Sequence, residues 1–161
     1  MNGETIRPKV TPKDFFLWLG AMAALYVSTI SLITLWFEYI NYLFPDELQS
    51  YVDPFLGTIR YSIASLVVIF PLYIFLTRFL NQEVRRDSAK KEIWVRRWVI
   101  YLTLFVAGIT LVVDLIVLIN TFLGGDLTTR FILKIVVVLV VIGAGFLYYL
   151  YDLRGRWERE E

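Results

Sequence analysis

The chain has 161 residues, of which 58% are apolar or aromatic and only 19% are charged. A typical soluble domain carries more charge, close to a quarter of its residues. The sequence contains neither histidine nor cysteine. This composition excludes disulfides, thiol nucleophiles, the usual zinc sites and haem held by His or Cys. The excess of apolar residues predicts a protein that lies in a membrane.

Four segments of the chain are apolar and long enough to cross a bilayer, which needs about 20 residues of helix. They do not alternate apolar and polar residues, so they predict helices rather than the strands of a barrel. The predicted fold is all-α: a polytopic integral membrane protein with one four-transmembrane-helix bundle. We predict a tail at 1–13, a transmembrane domain at 14–153 with spans at about 14–44, 59–82, 94–123 and 129–153, and a tail at 154–161.

The distribution of positive charge predicts the orientation of the spans. Thirteen of the sixteen Lys and Arg residues fall in the two tails and in the basic segment at 78–97, which links the apolar parts of the second and third spans. Because Lys and Arg mark the cytoplasmic side, both termini and this middle segment are predicted to be cytoplasmic. The loop at 45–57 and the short loop near Gly125 then face outward. We interpret Trp18, Tyr148 and Tyr149, at the predicted cytoplasmic interface, as membrane anchors rather than ligand cages.

Small residues recur at three- or four-residue spacing in the first and third spans, which places them on one face of each helix. In lipid, such faces allow helices to approach closely. Pro71 in the second span predicts a kink, because proline leaves the carbonyl of Val67 without its helical partner. The predicted packing faces are Gly20, Ala24 and Ser28 in the first span, Thr103, Ala107 and Thr110 in the third, and Gly143 and Gly145 in the fourth.

Charged residues in the outer halves of the spans are the candidates for chemistry, because ionisable groups are costly inside a membrane. They are Glu38, Arg60, Asp114, Arg130 and Lys134. Asp114 and Lys134 lie at nearly equal distances on either side of the last loop, which predicts that they pair. Glu38 and Arg60 flank the first outer loop and form a second possible pair. The residues form either a structural salt-bridge network or a site where one acid holds a proton or cation.

The sequence carries no recognisable catalytic pattern. It has no second deep aspartate to form an intramembrane aspartyl protease with Asp114, and no histidine to activate a serine. It also lacks nucleotide-binding motifs. We therefore expect no enzymatic activity, no catalytic residues, no metal site and no cofactor.

Six stretches carry a family resemblance: YINY at 39–42, FPD at 44–46, IRYSIASL at 59–66, YLTLF at 101–105, FLGGDLT at 122–128, and Tyr148 with LYDLR at 150–154. In these stretches the chain resembles a bacterial four-span membrane family catalogued as domain of unknown function 5671. The resemblance extends from about Pro12 to Arg154 and includes Arg60, Asp114 and Arg130. It implies a small protein of the bacterial inner membrane and brings no activity or ligand with it.

Two functions remain open at this point. The first is a non-enzymatic scaffold, subunit or assembly module that acts through helix packing. Its partners are the lipid bilayer and a membrane protein or a second copy, and no nucleic acid is expected because the basic segment is explained by orientation beside anionic lipid. The alternative is a small oligomeric ion- or proton-coupled transporter or channel that uses the outer-half charges. A water-filled cavity reaching Asp114 from outside would favour the alternative, and a dry, fully paired bundle would favour the first.

Overall fold

The computed structural model describes residues 11–45, 55–86, 94–125 and 127–157. Each helix is long and apolar enough to cross a membrane, which confirms the predicted all-α class with four transmembrane helices. The acidic residues of the first outer loop and residues 87–93 of the basic middle segment lie outside the described residues. The helices are α1 (Pro12–Leu43), α2 (Phe55–Arg86), α3 (Trp94–Gly124) and α4 (Thr129–Trp157).

Local sequence signals explain where the helices begin and end. Thr11 caps α1, and Pro12 occupies the first turn, where its missing N–H costs nothing. Gly125 follows α3 with a φ of 76°, a left-handed conformation that glycine adopts without strain and that commonly ends helices. Its N–H donates to the carbonyl of Phe122 at 3.2 Å. Thr128 then starts α4 by accepting a hydrogen bond from the N–H of Phe131 at 3.2 Å.

Two helices extend further than the apolar segments predict. Helix α2 begins at Phe55 and ends at Arg86, and α4 continues to Trp157. The predicted spans are shorter, at about 59–82 and 129–153. Hydropathy reports only the part of a helix that suits lipid, whereas backbone hydrogen bonding continues into the polar flanks. Helix α2 also runs through Pro71 as one continuous element.

Helix α1 is the centre of the packing, because it contacts each of the other three helices. It pairs most extensively with α2, and α3 pairs with α4, so the fold consists of two antiparallel hairpins joined through α1. The face that α1 buries is made of small side chains: Ala21, Ala24, Ser28 and Ser31. These residues lie three or four apart and therefore share one side of the helix.

The remaining helix surfaces are strongly apolar and uncovered. In its most apolar stretch α1 has 22% of its residues buried inside the chain, whereas α2, α3 and α4 have only 6% each. Exposed side chains include Phe75 on α2, Phe105 on α3 and Leu147 on α4. Continuous apolar surface of this extent is unfavourable in water. These faces are therefore suited to lipid or to other membrane helices.

Candidate functional site

The predicted packing residues of α1 and α3 lie at helix contacts. Ala24 and Ser28 are buried, and an added methyl group at Gly20 would touch the Leu76 side chain of α2 at 3.9 Å. On α3, the buried Thr103 hydroxyl donates to the Val99 carbonyl at 2.8 Å. Ala107 and Thr110 lie on the same stripe and are partly buried. The small stripes of these two helices are thus used inside the chain.

One hydrogen bond joins these two helices directly. The Tyr26 hydroxyl of α1 donates to the Thr103 hydroxyl of α3 at 3.4 Å. Thr110, further along the stripe, instead donates to the Val106 carbonyl of its own helix at 2.9 Å. Threonine hydroxyls in helices commonly bond back to the preceding turn in this way.

The two glycines predicted to pack α4 against another helix have open space beside them in the described structure. A methyl group added at Gly143 or Gly145 would meet no atom within 4 Å among the described residues. The glycine at the α3–α4 contact is instead Gly108, where an added methyl would touch the Phe146 ring at 3.9 Å. Gly143 and Gly145 were predicted to lie in a contact because small residues permit close approach. A small residue does not by itself bring a neighbouring helix close. In this structure the α3–α4 contact is instead made by the bulky Phe146 side chain of α4 against Gly108 of α3.

The five outer-half charges lie near the same end of the bundle but do not form the predicted pairs. The Lys134 ammonium group lies over the Phe37 ring, 5.4 Å from its centroid. This is a cation–π contact, in which the negative face of the ring attracts the cation. Glu38 accepts a long hydrogen bond from the Asn41 amide at 3.5 Å. Arg60 is exposed, and Arg130 is partly buried.

Asp114 is the most informative of these charges. It is partly buried, and its Oδ2 atom has no hydrogen-bond partner among the described residues. The nearly equal spacing of Asp114 and Lys134 from the last loop predicts similar depths for the two residues. However, Lys134 lies over Phe37 of α1, and no ion pair joins it to Asp114 in the described structure. Burial without a partner is costly for a carboxylate oxygen, so this group is a candidate for ion or proton binding.

A second charged cluster lies at the opposite end of α1, and the sequence argument missed it. The Asp14 side chain is only 2% exposed. It accepts a hydrogen bond from the Thr11 hydroxyl at 2.7 Å and completes a capping box. Nearby, Lys13 and Glu83 form a salt bridge of 2.9 Å between α1 and α2. The signal for the capping box was present as Thr-x-x-Asp directly before an apolar run.

All four helices line a cavity of about 70 Å³ at the end of the bundle where α1 begins and α4 ends, here called the termini end. Two residues that were interpreted as membrane anchors, Trp18 and Tyr149, are partly buried in its wall. The hydroxyl groups of Tyr73 and Tyr149 lie 3.5 Å apart and link α2 to α4. The residues of the wall with aromatic or polar side chains are Trp18, Tyr73, Thr77, Asn81, Tyr148 and Tyr149.

Metal ligation is not indicated by the described part of the chain, in which no group of three or more acidic side chains is placed to hold a metal ion. The four apolar helices and their uncovered surfaces define the molecule as a multi-pass membrane protein of unknown activity.

Comparison with known proteins gives the family. The model of the family described as "Domain of unknown function (DUF5671)" matches residues 14–149, and the chain belongs to this family. This confirms the resemblance noted in the sequence. No curated protein and no solved structure matches the chain.

Proposed function

We propose that the protein is a non-enzymatic module of the bacterial inner membrane that acts by association, as a scaffold, subunit or assembly factor. The excess of Lys and Arg in the tails and the middle segment favours a cytoplasmic location for both termini. The observation that carries the proposal is the unequal burial of the helices. Helix α1 uses its small residues within the chain, whereas only 6% of the most apolar stretch of each of α2, α3 and α4 is fully buried.

The open glycine surface of α4 supports the same proposal. A methyl group added at Gly143 or Gly145 would meet no atom of the described chain within 4 Å. Glycines in a membrane helix leave a smooth surface against which another helix packs closely. A second copy of the chain or another membrane protein would fill that space. Lipid tails fill it less well, because they are flexible and form no fixed contacts.

The test is the mass of the protein extracted with its surrounding lipid, without detergent. We expect a complex of two or more chains, and we expect Gly143→Leu to disperse it because the added side chain occupies the contact surface. Ala144→Leu on the next residue, which is exposed, is the matched control and leaves the complex intact. A wild-type protein that is extracted only as a single chain contradicts the proposal.

Asp114 supports a second candidate function, a small ion- or proton-coupled transporter or channel. Its Oδ2 atom is buried without a hydrogen-bond partner among the described residues, and the cation of Lys134, its predicted partner, lies over Phe37. An unpaired carboxylate in a membrane helix is a functional feature in many pumps and channels. In proteoliposomes with an imposed proton or sodium gradient, this function predicts flux that Asp114→Asn abolishes.

A rescue experiment separates this function from a structural role for the charges. If Asp114→Asn and Lys134→Ala each reduce the amount of folded protein and the double variant restores it, the charges balance each other structurally. If Asp114→Asn folds normally but abolishes flux, the carboxylate is an ion or proton site.

A further inference from the structure

The cavity at the termini end has an unusual chemical lining. Four aromatic rings surround it, those of Trp18, Tyr73, Tyr148 and Tyr149, and no Lys, Arg, Asp or Glu is among its lining residues in the described structure. All four helices contribute to it, so the cavity is a property of the folded bundle. The faces of Trp and Tyr rings carry negative charge density and attract cations, Trp most strongly.

The rings present their surfaces in different directions. Tyr148 and Tyr149 are perpendicular, with centroids 5.4 Å apart and an interplanar angle of 86°. The Tyr73 and Tyr149 hydroxyl groups lie 3.5 Å apart, and this contact holds the two rings in position across the α2–α4 boundary. From this arrangement we propose that the cavity binds an alkylammonium group, such as the trimethylammonium group of choline, through cation–π contacts.

The size and access of the cavity suit such a group. The cavity volume is about 70 Å³, which is room for about five water molecules. This is also enough for a compact group such as trimethylammonium. Tyr148 is 66% exposed, so one wall of the cavity is open to its surroundings. The aliphatic part of the wall, which includes Met22 and Ile100, suits the methyl groups of the ligand.

One buried acidic group lies on the same helix face as the cavity residue Trp18. Asp14 lies one helical turn before Trp18 on α1 and therefore on the same face, and its side chain is 2% exposed. The field of a buried carboxylate is screened less than that of a surface charge. Among the basic residues of this end whose side chains the structure describes, Lys13, Arg78 and Arg97 are exposed, and Lys13 is paired with Glu83.

Two sources could supply the ligand, a free choline-like solute or the headgroup of a lipid. The cavity lies near the ends of the spans, where charged residues begin in the sequence: Asn81 lies two residues before Glu83, and Tyr149 lies three residues before Asp152. That level is where lipid headgroups lie. The shared chemistry is the alkylammonium group, and the experiment distinguishes its source.

The test uses the full-length protein in nanodiscs of phosphatidylglycerol, which contain no ammonium group, titrated calorimetrically with choline and with its neutral isostere 3,3-dimethylbutan-1-ol. Choline is expected to bind at least about tenfold more tightly than the isostere, because only choline carries the charge. Tyr148→Leu, at a largely exposed position that tolerates substitution, weakens choline binding several-fold. Tyr151→Leu is the matched control, since Tyr151 is 79% exposed and outside the cavity.

Further variants and lipid compositions test the role of the Tyr149 ring and distinguish the two sources of the ligand. Tyr149→Phe keeps the ring and is expected to retain most of the binding, whereas Tyr149→Leu loses it. If the headgroup is the source, phosphatidylcholine in the nanodisc competes with free choline and is retained by the protein over phosphatidylglycerol in native mass spectrometry. Equal binding of choline and its isostere shows an apolar cavity only and overturns the proposal. Absence of choline binding together with no preference for phosphatidylcholine also overturns it.

Discussion

Replacing Ala24 by leucine tests the central position of α1 in the packing. The Ala24 side chain is 6% exposed and lies on the face that also buries Ala21, Ser28 and Ser31. Leucine adds three carbon atoms where the neighbouring helices leave no room. Inserting extra carbons into a packed interior costs about 1–3 kcal/mol. We therefore expect Ala24→Leu to lower the free energy of unfolding by about 2 kcal/mol.

Ala23 provides a control one residue away. It is exposed, so in the membrane it faces lipid, where leucine is as suitable as alanine. We expect Ala23→Leu to change the free energy of unfolding by less than about 0.5 kcal/mol. Both variants are measured by titrating the protein from mild detergent micelles into dodecyl sulfate while tryptophan fluorescence is followed. Equal effects of the two substitutions, or a larger effect at Ala23, would refute the assignment of this face.

Three further predictions use the same titration. Thr11→Ala removes the cap of α1 and lowers the free energy of unfolding by about 1 kcal/mol, whereas Thr11→Ser retains the hydroxyl and most of the stability. An unchanged unfolding midpoint for Thr11→Ala would show that the cap contributes nothing. Glu83→Gln breaks the salt bridge to Lys13, whose side chain is 62% exposed, so the free energy of unfolding falls by less than about 1 kcal/mol. This loss should diminish in high salt, and a salt-independent loss would argue against an ionic contribution. Tyr26→Phe removes the hydrogen bond to Thr103 and lowers the free energy of unfolding by about 0.6 kcal/mol. This loss should largely vanish when Thr103 is already replaced by valine. Additive effects of the two substitutions would mean that the two hydroxyls do not interact.

The sequence predicts the number and type of elements well because the bilayer restricts the choices. A long apolar segment in lipid must satisfy its own backbone hydrogen bonds, and the helix is the form that does so without closing a barrel. The helical spacing of Ala24 and Ser28 also identifies the face that α1 buries. These properties follow from local composition and period.

The contacts that individual side chains make follow less directly from sequence. Lys134 has the depth to meet Asp114, but depth does not determine the direction of a long flexible side chain, and the Phe37 ring attracts the ammonium group instead. Gly143 can accept a close neighbour, but whether one arrives depends on how α1, α3 and α4 are arranged. Trp18 and Tyr149 have the composition of a membrane anchor, and only the assembled bundle shows that they line a cavity.

The claim on which the rest depends is that the chain crosses the membrane four times with both termini in the cytoplasm. The natural chain has no cysteine, so single cysteine substitutions can be labelled without background. A membrane-impermeant maleimide applied to intact cells is expected to label Ser50→Cys and Leu127→Cys, and to label Asn2→Cys and Ser88→Cys only after the membrane is permeabilised. Labelling of Ser88→Cys in intact cells, to the same extent as Ser50→Cys, would contradict the four-span arrangement.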